Sequence, residues 1–182
     1  QMEVFQIEKN IRGLLVVANT RAVMDALVAL VAQRDVSRRY LALGQGGWQG
    51  APMQTVDAAI GRDPRNRLRM AVVDLQHSPG KTARTDITCL STTTAHCLVH
   101  CKLHTGRTHQ IRVHMQHLHH PLVADAVYGG AAAGGLQRQA LHAFALQFVH
   151  PITGQDLALC APPPDDFLTA AEKLGLQYNC PP

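Results

Sequence analysis

One stretch limits what this chain can fold into more than any other. It is Leu103-His-Thr-Gly-Arg-Thr-His-Gln-Ile-Arg-Val-His-Met115, followed by His120-Pro-Leu-Val-Ala-Asp-Ala-Val-Tyr-Gly-Gly130. Leu98, Val99 and Leu103 lead in with strand character, and Thr105-Gly106 breaks the strand. Thr108 is then placed to cap a helix whose apolar side carries Ile111, Met115 and Leu118. Arg107 falls in the turn and Arg112 one turn into the helix, beside an N-terminus that already favours anions. A strand–turn–helix with two guanidiniums at its mouth suits a carboxylate or a phosphate.

The rest of the chain alternates short apolar runs with turn signals. Gly13-Leu-Leu-Val-Val-Ala18 reads as a buried strand. Thr20 caps a helix to about Gln33 with Val23, Met24, Leu27, Val28 and Val31 at helical spacing. Val36 to Leu43 returns to strand character, and Gly44-Gln-Gly-Gly-Trp-Gln-Gly50 reads as a flexible loop. Thr55–Ile60 and Met70–Leu75 are short strands around a turn-rich basic hairpin, Gly61–Arg69. Thr85–Leu90 and Ala95–Leu103 form a hairpin around Ser91–Thr94. After the motif helix come strands at Ala140–Val149 and Leu157–Cys160, then a helix from Asp166 to Leu174 ended by Gly175. Strands mostly in hairpins, with helices between them, predict an α+β fold around a mixed, largely antiparallel sheet.

At 182 residues the chain can bury one good core and is too short for two full domains. No apolar run approaches the roughly 18 residues of a membrane span, and the first residues have neither signal nor transit pattern. Net charge is +4, with arginine outnumbering lysine, a mild pointer to a polyanionic partner. Five cysteines, an odd number scattered through apolar segments, fit free thiols in a reducing compartment better than a disulfide framework. Arg62, Arg65, Arg67 and Arg69 in the basic hairpin read equally as a solvated loop or as phosphate contacts. His96-Cys-Leu-Val-His-Cys101 is rich in ligand types. On a strand, however, Cys97 and Cys101 stand roughly 13 Å apart, too far for one tetrahedral zinc. His114, His117, His119 and His120 come nearer to ligand spacing, yet neither Cys-x-x-Cys nor His-Glu-x-x-His occurs, and no metal is expected.

The run Thr105-Gly-Arg-Thr-His-Gln-Ile-Arg-Val-His114, with His120-Pro-Leu-Val and Asp125…Tyr128-Gly-Gly130, resembles the signature of the RluA/RluC/RluD-type pseudouridine synthases. The likeness covers most of the chain: Gly13–Ala18, Arg38-Arg-Tyr-Leu-Ala42, Ile60-Gly-Arg62, Lys81…Ala83-Arg-Thr85, Ala140-Leu-His-Ala143, His150-Pro and Ala161-Pro162 match in order. It implies the family's mixed antiparallel sheet bisected by an RNA cleft. It also implies a single catalytic domain over 1–182, without the earlier strands that members usually carry and the S4-like RNA-binding domain that many carry. The implied reaction detaches uracil from ribose C1′, turns the base and rejoins it through C5, with no metal or organic cofactor. The implied partner is RNA (rRNA first, tRNA second, or ribosomal assembly particles), with no membrane. The implied location is the bacterial cytoplasm or an organelle such as the mitochondrion.

Carried over by position, Tyr40 stacks on the target base and Arg112 pairs with the catalytic carboxylate and keeps it ionised. Arg107 is a second guanidinium. Arg62, Arg65, Arg67, Arg69 and Lys81 contact RNA, while His109, Ile111 and His114 support the pocket. The catalytic loop departs from the pattern. Where the family reads His-Arg-Leu-Asp-Lys-Asp-Thr-Ser-Gly, this chain reads Phe5-Gln-Ile-Glu-Lys-Asn-Ile-Arg-Gly13, so Glu8 stands at the aspartate position. A carboxylate displaced by about 1 Å can cost roughly a hundredfold in rate, so impaired catalysis is expected. The alternative is a non-catalytic RNA-binding or ribosome-assembly factor on the same scaffold.

Overall fold

The computed structural model describes residues 2–3, 12–33 and 35–179; the Glu8 assignment and Cys180 lie outside them. In chain order the described strands are β1 (Met2–Glu3), β2 (Arg12–Gly13), β3 (Val17–Ala18), β4 (Ser37–Gln45), β5 (Met53–Asp57), β6 (Ile60–Asp63), β7 (Asn66–Val72), β8 (Arg84–Thr92), β9 (His96–Leu103), β10 (Leu141–Val149) and β11 (Asp156–Cys160). The helices are α1 (Arg21–Gln33), α2 (Gln110–His117) and α3 (Asp165–Lys173). The main sheet runs β11-β10-β4-β9-β8-β5 with every neighbour antiparallel, and β2 adds a parallel pairing to β10. This is the mixed, largely antiparallel α+β fold the sequence predicts.

β4 and β9 lie at the centre because both their faces are apolar. Leu41, Leu43 and Leu98 pack with Phe144 on β10 and with Phe167, Ala170 and Ala171 of α3. Ala42, Cys97, Val99 and Cys101 face the other way, against Ile111 and Met115 of α2. The two-residue period of β4 therefore puts Arg38, Tyr40 and Ala42 on the α2 face. α3 ends where Gly175 takes φ +74°. Gly175 N and Leu176 N donate to Glu172 O and Ala171 O, closing the helix.

Several local expectations are corrected. Gly13–Ala18 is not one buried strand but β2 and β3, separated by three irregular residues. β2 pairs only with His142 and Ala143, the part of β10 that β11 does not reach. α1 is capped as expected, Val23 N bonding Thr20 Oγ1 at 3.3 Å. Its inward side, however, carries Leu27 and Leu30, while Met24, Val28 and Val31 are exposed. The helix is apolar nearly all round, so period alone did not choose its face. Gly44–Gly50 is pinned: β4 runs on to Gln45, Gly46 N donates to Ala95 O, and the Trp48 indole donates to Ala51 O and stacks on His120. The Thr55–Ile60 strand splits into β5 and β6, and β6 pairs with β7 as a separate hairpin. No helix among the described residues is long and apolar enough to cross a membrane.

Candidate active site

α2 is not capped by Thr108. The cap residue is His109, in the left-handed region at φ 56°, and no side chain caps it in the usual way. The Gln110 side chain organises the entry instead. Its Oε1 accepts from Thr105 Oγ1 (2.7 Å) and Arg107 N (3.0 Å), and its Nε2 donates to Arg84 O (3.0 Å) and Thr85 Oγ1 (2.9 Å). Thr85 in turn hydrogen-bonds His114 Nδ1 at 2.9 Å, and His114 Nε2 reaches Ala58 O at 2.9 Å. The carbonyl requires a proton on Nε2, so Nδ1 accepts from Thr85. Every amide position of Gln110 is satisfied, which a buried polar network requires. The network ties the motif turn, β8 and α2 into one unit.

Gln110 through Met115 are all buried, so α2 begins without a solvent face. The β6–β7 hairpin and the short turn at Ala126–Tyr128 cover its outer side, where Val113 packs with Ile60 and Tyr128. Arg112, in the first turn of α2, makes a bidentate pair with Asp125: Nε to Oδ2 at 2.7 Å and Nη2 to Oδ1 at 2.8 Å. The side chains are 8% and 1% exposed. The guanidinium lies 4.7 Å from the Tyr128 ring centroid, a cation–π contact. Tyr128 Oη accepts from Met70 N (3.0 Å) and meets His109 Nδ1 at 2.7 Å. Burial pushes the Tyr128 phenol up, so it keeps its proton.

These elements bound a cleft of about 320 Å³ lined by Arg38, Tyr40, Arg107, His109, Ile111 and Arg112. Of the residues singled out in the sequence, Tyr40, Arg107, His109, Ile111 and Arg112 come together here. Arg62 and Lys81 line a second groove of about 510 Å³ that shares Gly106, Arg107 and Thr108 with the first. Arg69 stands apart. Its Nε bonds Asp63 Oδ2 at 2.6 Å, and the other Asp63 oxygen takes Arg65 N at 2.8 Å, so it braces the hairpin. The Arg65 amide, then Arg69, hold the Asp63 carboxyl below its ordinary range. The Arg65 and Arg67 side chains are exposed. His114 lies behind the cleft wall, in the network.

Three residues that matter here had no role from the sequence: Asp125, Gln110 and Arg38. Asp125 left one signal, a lone acid in the apolar run Leu122-Val-Ala-Asp-Ala-Val127, where burial demands a cationic partner.

Burial lowers the pKa of His100, His114 and His142 from the usual 6.5. A depressed histidine binds fewer protons folded than unfolded, so its stabilising contribution is complete above 6.5 and is lost as pH falls below it. The melting temperature is expected to be flat between neutrality and the onset of thiol ionisation, where the raised pKa of buried Cys97 and Cys101 makes it fall again, and to drop steadily as pH falls below 6.5, well before the carboxylates titrate. A thermal-melt series on the acid side of neutrality checks this; a curve that stays flat until the carboxylate range contradicts it.

A family model described as RNA pseudouridylate synthase matches residues 4–117. The chain is 46% identical over 172 residues to the ribosomal large subunit pseudouridine synthase D of Nitrosomonas europaea, covering 90% of this chain and 48% of that protein. It is 42% identical over 177 residues to the protein of the same name from Xanthomonas campestris pv. campestris, covering 90% and 52%. The chain thus spans about half the length of the curated relatives it matches. Among solved structures, the human RNA pseudouridylate synthase domain containing 1 superposes with a TM-score of 0.73 at 30% identity, over 90% of this chain and 70% of that one. A cleft with the turn and helix start from Gly106 to Arg112 forming one wall and Tyr40 of β4 another, and a family model spanning most of the chain, lead to one conclusion: the chain belongs to the RluA-type branch of the RNA pseudouridylate synthases.

Proposed function

We propose that this chain isomerises uridine to pseudouridine in structured RNA, with large-subunit rRNA as substrate, in a bacterial cytoplasm. The observation that carries the reading is the shared cleft, in which an aromatic ring, Tyr40, faces two guanidiniums, Arg107 and Arg112. Such a space takes a base only after it leaves its stack, and a ring on a central strand gives it a rigid surface to lie on. On this reading Tyr40 holds the flipped uracil and Ile111 packs beside it. Arg112, fixed by Asp125, keeps the catalytic carboxylate ionised. Glu8 is that carboxylate, acting at ribose C1′ as uracil leaves and returns through C5. Arg62, Lys81, Arg65 and Arg67 contact phosphates along the adjoining groove, and residues 1–182 act as one catalytic unit.

The names of the bacterial relatives support rRNA as the substrate. The test is to incubate the chain with large-subunit rRNA and map pseudouridine, with conversion at a defined uridine as the expected result. Tight RNA binding with no conversion, by this chain or by Glu8→Asp, would favour an assembly factor and sink the synthase reading.

A further inference from the structure

Gly106 has an ordinary φ, unlike the left-handed glycines elsewhere in the fold, so backbone strain does not explain it. What explains it is Arg38. A Cβ on residue 106 would overlap Arg38 Nη1 and lie 3.2 Å from both Cζ and Nη2. The guanidinium is seated directly against the motif turn. Its root is equally fixed, because β4 is central and Arg38 stands opposite Leu103 on β9 and Leu146 on β10.

This guanidinium is held in an unfavourable place. Its Nε is buried without a hydrogen-bond partner among the described residues, and a second cation, Arg107, stands close enough to oppose its charge. Arg107 is fixed as well, its Nε donating to Thr82 O at 2.9 Å at the junction of the two grooves. Among the described residues neither arginine has a carboxylate, whereas Arg69, Arg112 and Arg138 are paired with Asp63, Asp125 and Asp166. Two like charges converging on one cleft, with a buried donor left over, make a site waiting for an anion. Guanidinium forks match a tetrahedral oxyanion, while a neutral base needs no such charge.

We propose that Arg38 and Arg107, seated around Gly106, receive one RNA phosphodiester next to the nucleotide whose base lies on Tyr40. Arg38 is then a positioning residue that draws the strand into the cleft and sets where the flipped base falls. The proposal rests on the RNA-modifying reading above.

The test uses the full chain and a stem-loop of large-subunit rRNA carrying the uridine that the parent converts. Methylphosphonate, which removes the charge, replaces one linkage at a time. The parent is expected to lose about tenfold in affinity at one linkage. Arg38→Gln should lose about tenfold on unmodified RNA, show no further loss at that linkage, and lower the salt slope by about one. Gly106→Ala, which displaces the guanidinium without removing it, should weaken binding in the same way. In both variants KM should rise more than kcat falls, with the melting temperature close to the parent's. Arg38→Gln retaining the parent's full sensitivity at that linkage, with the fold intact, overturns the proposal and leaves the synthase reading standing. A parent that neither binds nor converts RNA overturns both. Inorganic phosphate binding at micromolar concentration without RNA would make the free ion the ligand and overturn the phosphodiester assignment.

Discussion

Arg112→Ala is expected to destabilise the protein by about 4 kcal/mol, since breaking a buried pair leaves the other charge uncompensated. Asp125, 1% exposed, would be left among apolar neighbours with no guanidinium to meet its carboxyl oxygens. For a chain of this size that corresponds to a melting point lower by about 10 °C. Activity should fall below detection. The informative control is Arg112→Met combined with Asp125→Leu, because replacing both ions by apolar groups of similar volume is often neutral or stabilising. The double variant should recover most of the lost melting temperature while remaining inactive. Turnover restored along with stability would show that the pair is only scaffold. That result would remove Arg112 from the proposed machinery.

The second large effect is expected at Gln110. Gln110→Leu deletes four hydrogen bonds and strands Thr105 Oγ1, Arg107 N, Arg84 O and Thr85 Oγ1 around an apolar side chain. Some of these groups can re-pair, because the threonine hydroxyls rotate and Thr105 Oγ1 still accepts from Arg84 N. At about 1–3 kcal/mol for each buried group left unsatisfied, a total near 3 kcal/mol is expected. Gln110→Glu should be no better. Its second oxygen would face Arg84 O, acceptor against acceptor, in a site 3% exposed. Chemical denaturation of both variants checks this. A loss below about 1 kcal/mol in Gln110→Leu would mean that the network does not hold the motif turn in place.

The two residues behind these expectations also show where sequence reasoning stopped. Strand–turn–helix was legible at 98–118, because apolar period and turn chemistry are local signals. Tyr40, Arg107 and Arg112 were assigned to one site by resemblance, and the fold brings them into one cleft. The cap was misplaced at Thr108 because the entry to α2 is held by a side chain reaching across to β8, a partner 25 residues away in sequence. Asp125 and Arg38 were missed for a related reason. A buried ion pair and an orphaned guanidinium are properties of neighbours in space, and no periodicity reports them. α1 shows the opposite limit: Ala22-Val-Met-Asp-Ala-Leu-Val-Ala-Leu-Val31 is so evenly apolar that the helix was certain and its inward face was not.

The most direct measurement is single-turnover pseudouridine formation in large-subunit rRNA by this chain, Glu8→Asp and Glu8→Ala. The expected result is slow conversion by this chain, none by Glu8→Ala, and a rate about a hundredfold higher for Glu8→Asp, the factor that about 1 Å in a reacting group can command, or close to 2.7 kcal/mol of barrier. Equal rates in all three would show that Glu8 takes no part in the chemistry. No conversion by any of them, with the fold intact and RNA bound, would contradict the synthase assignment itself.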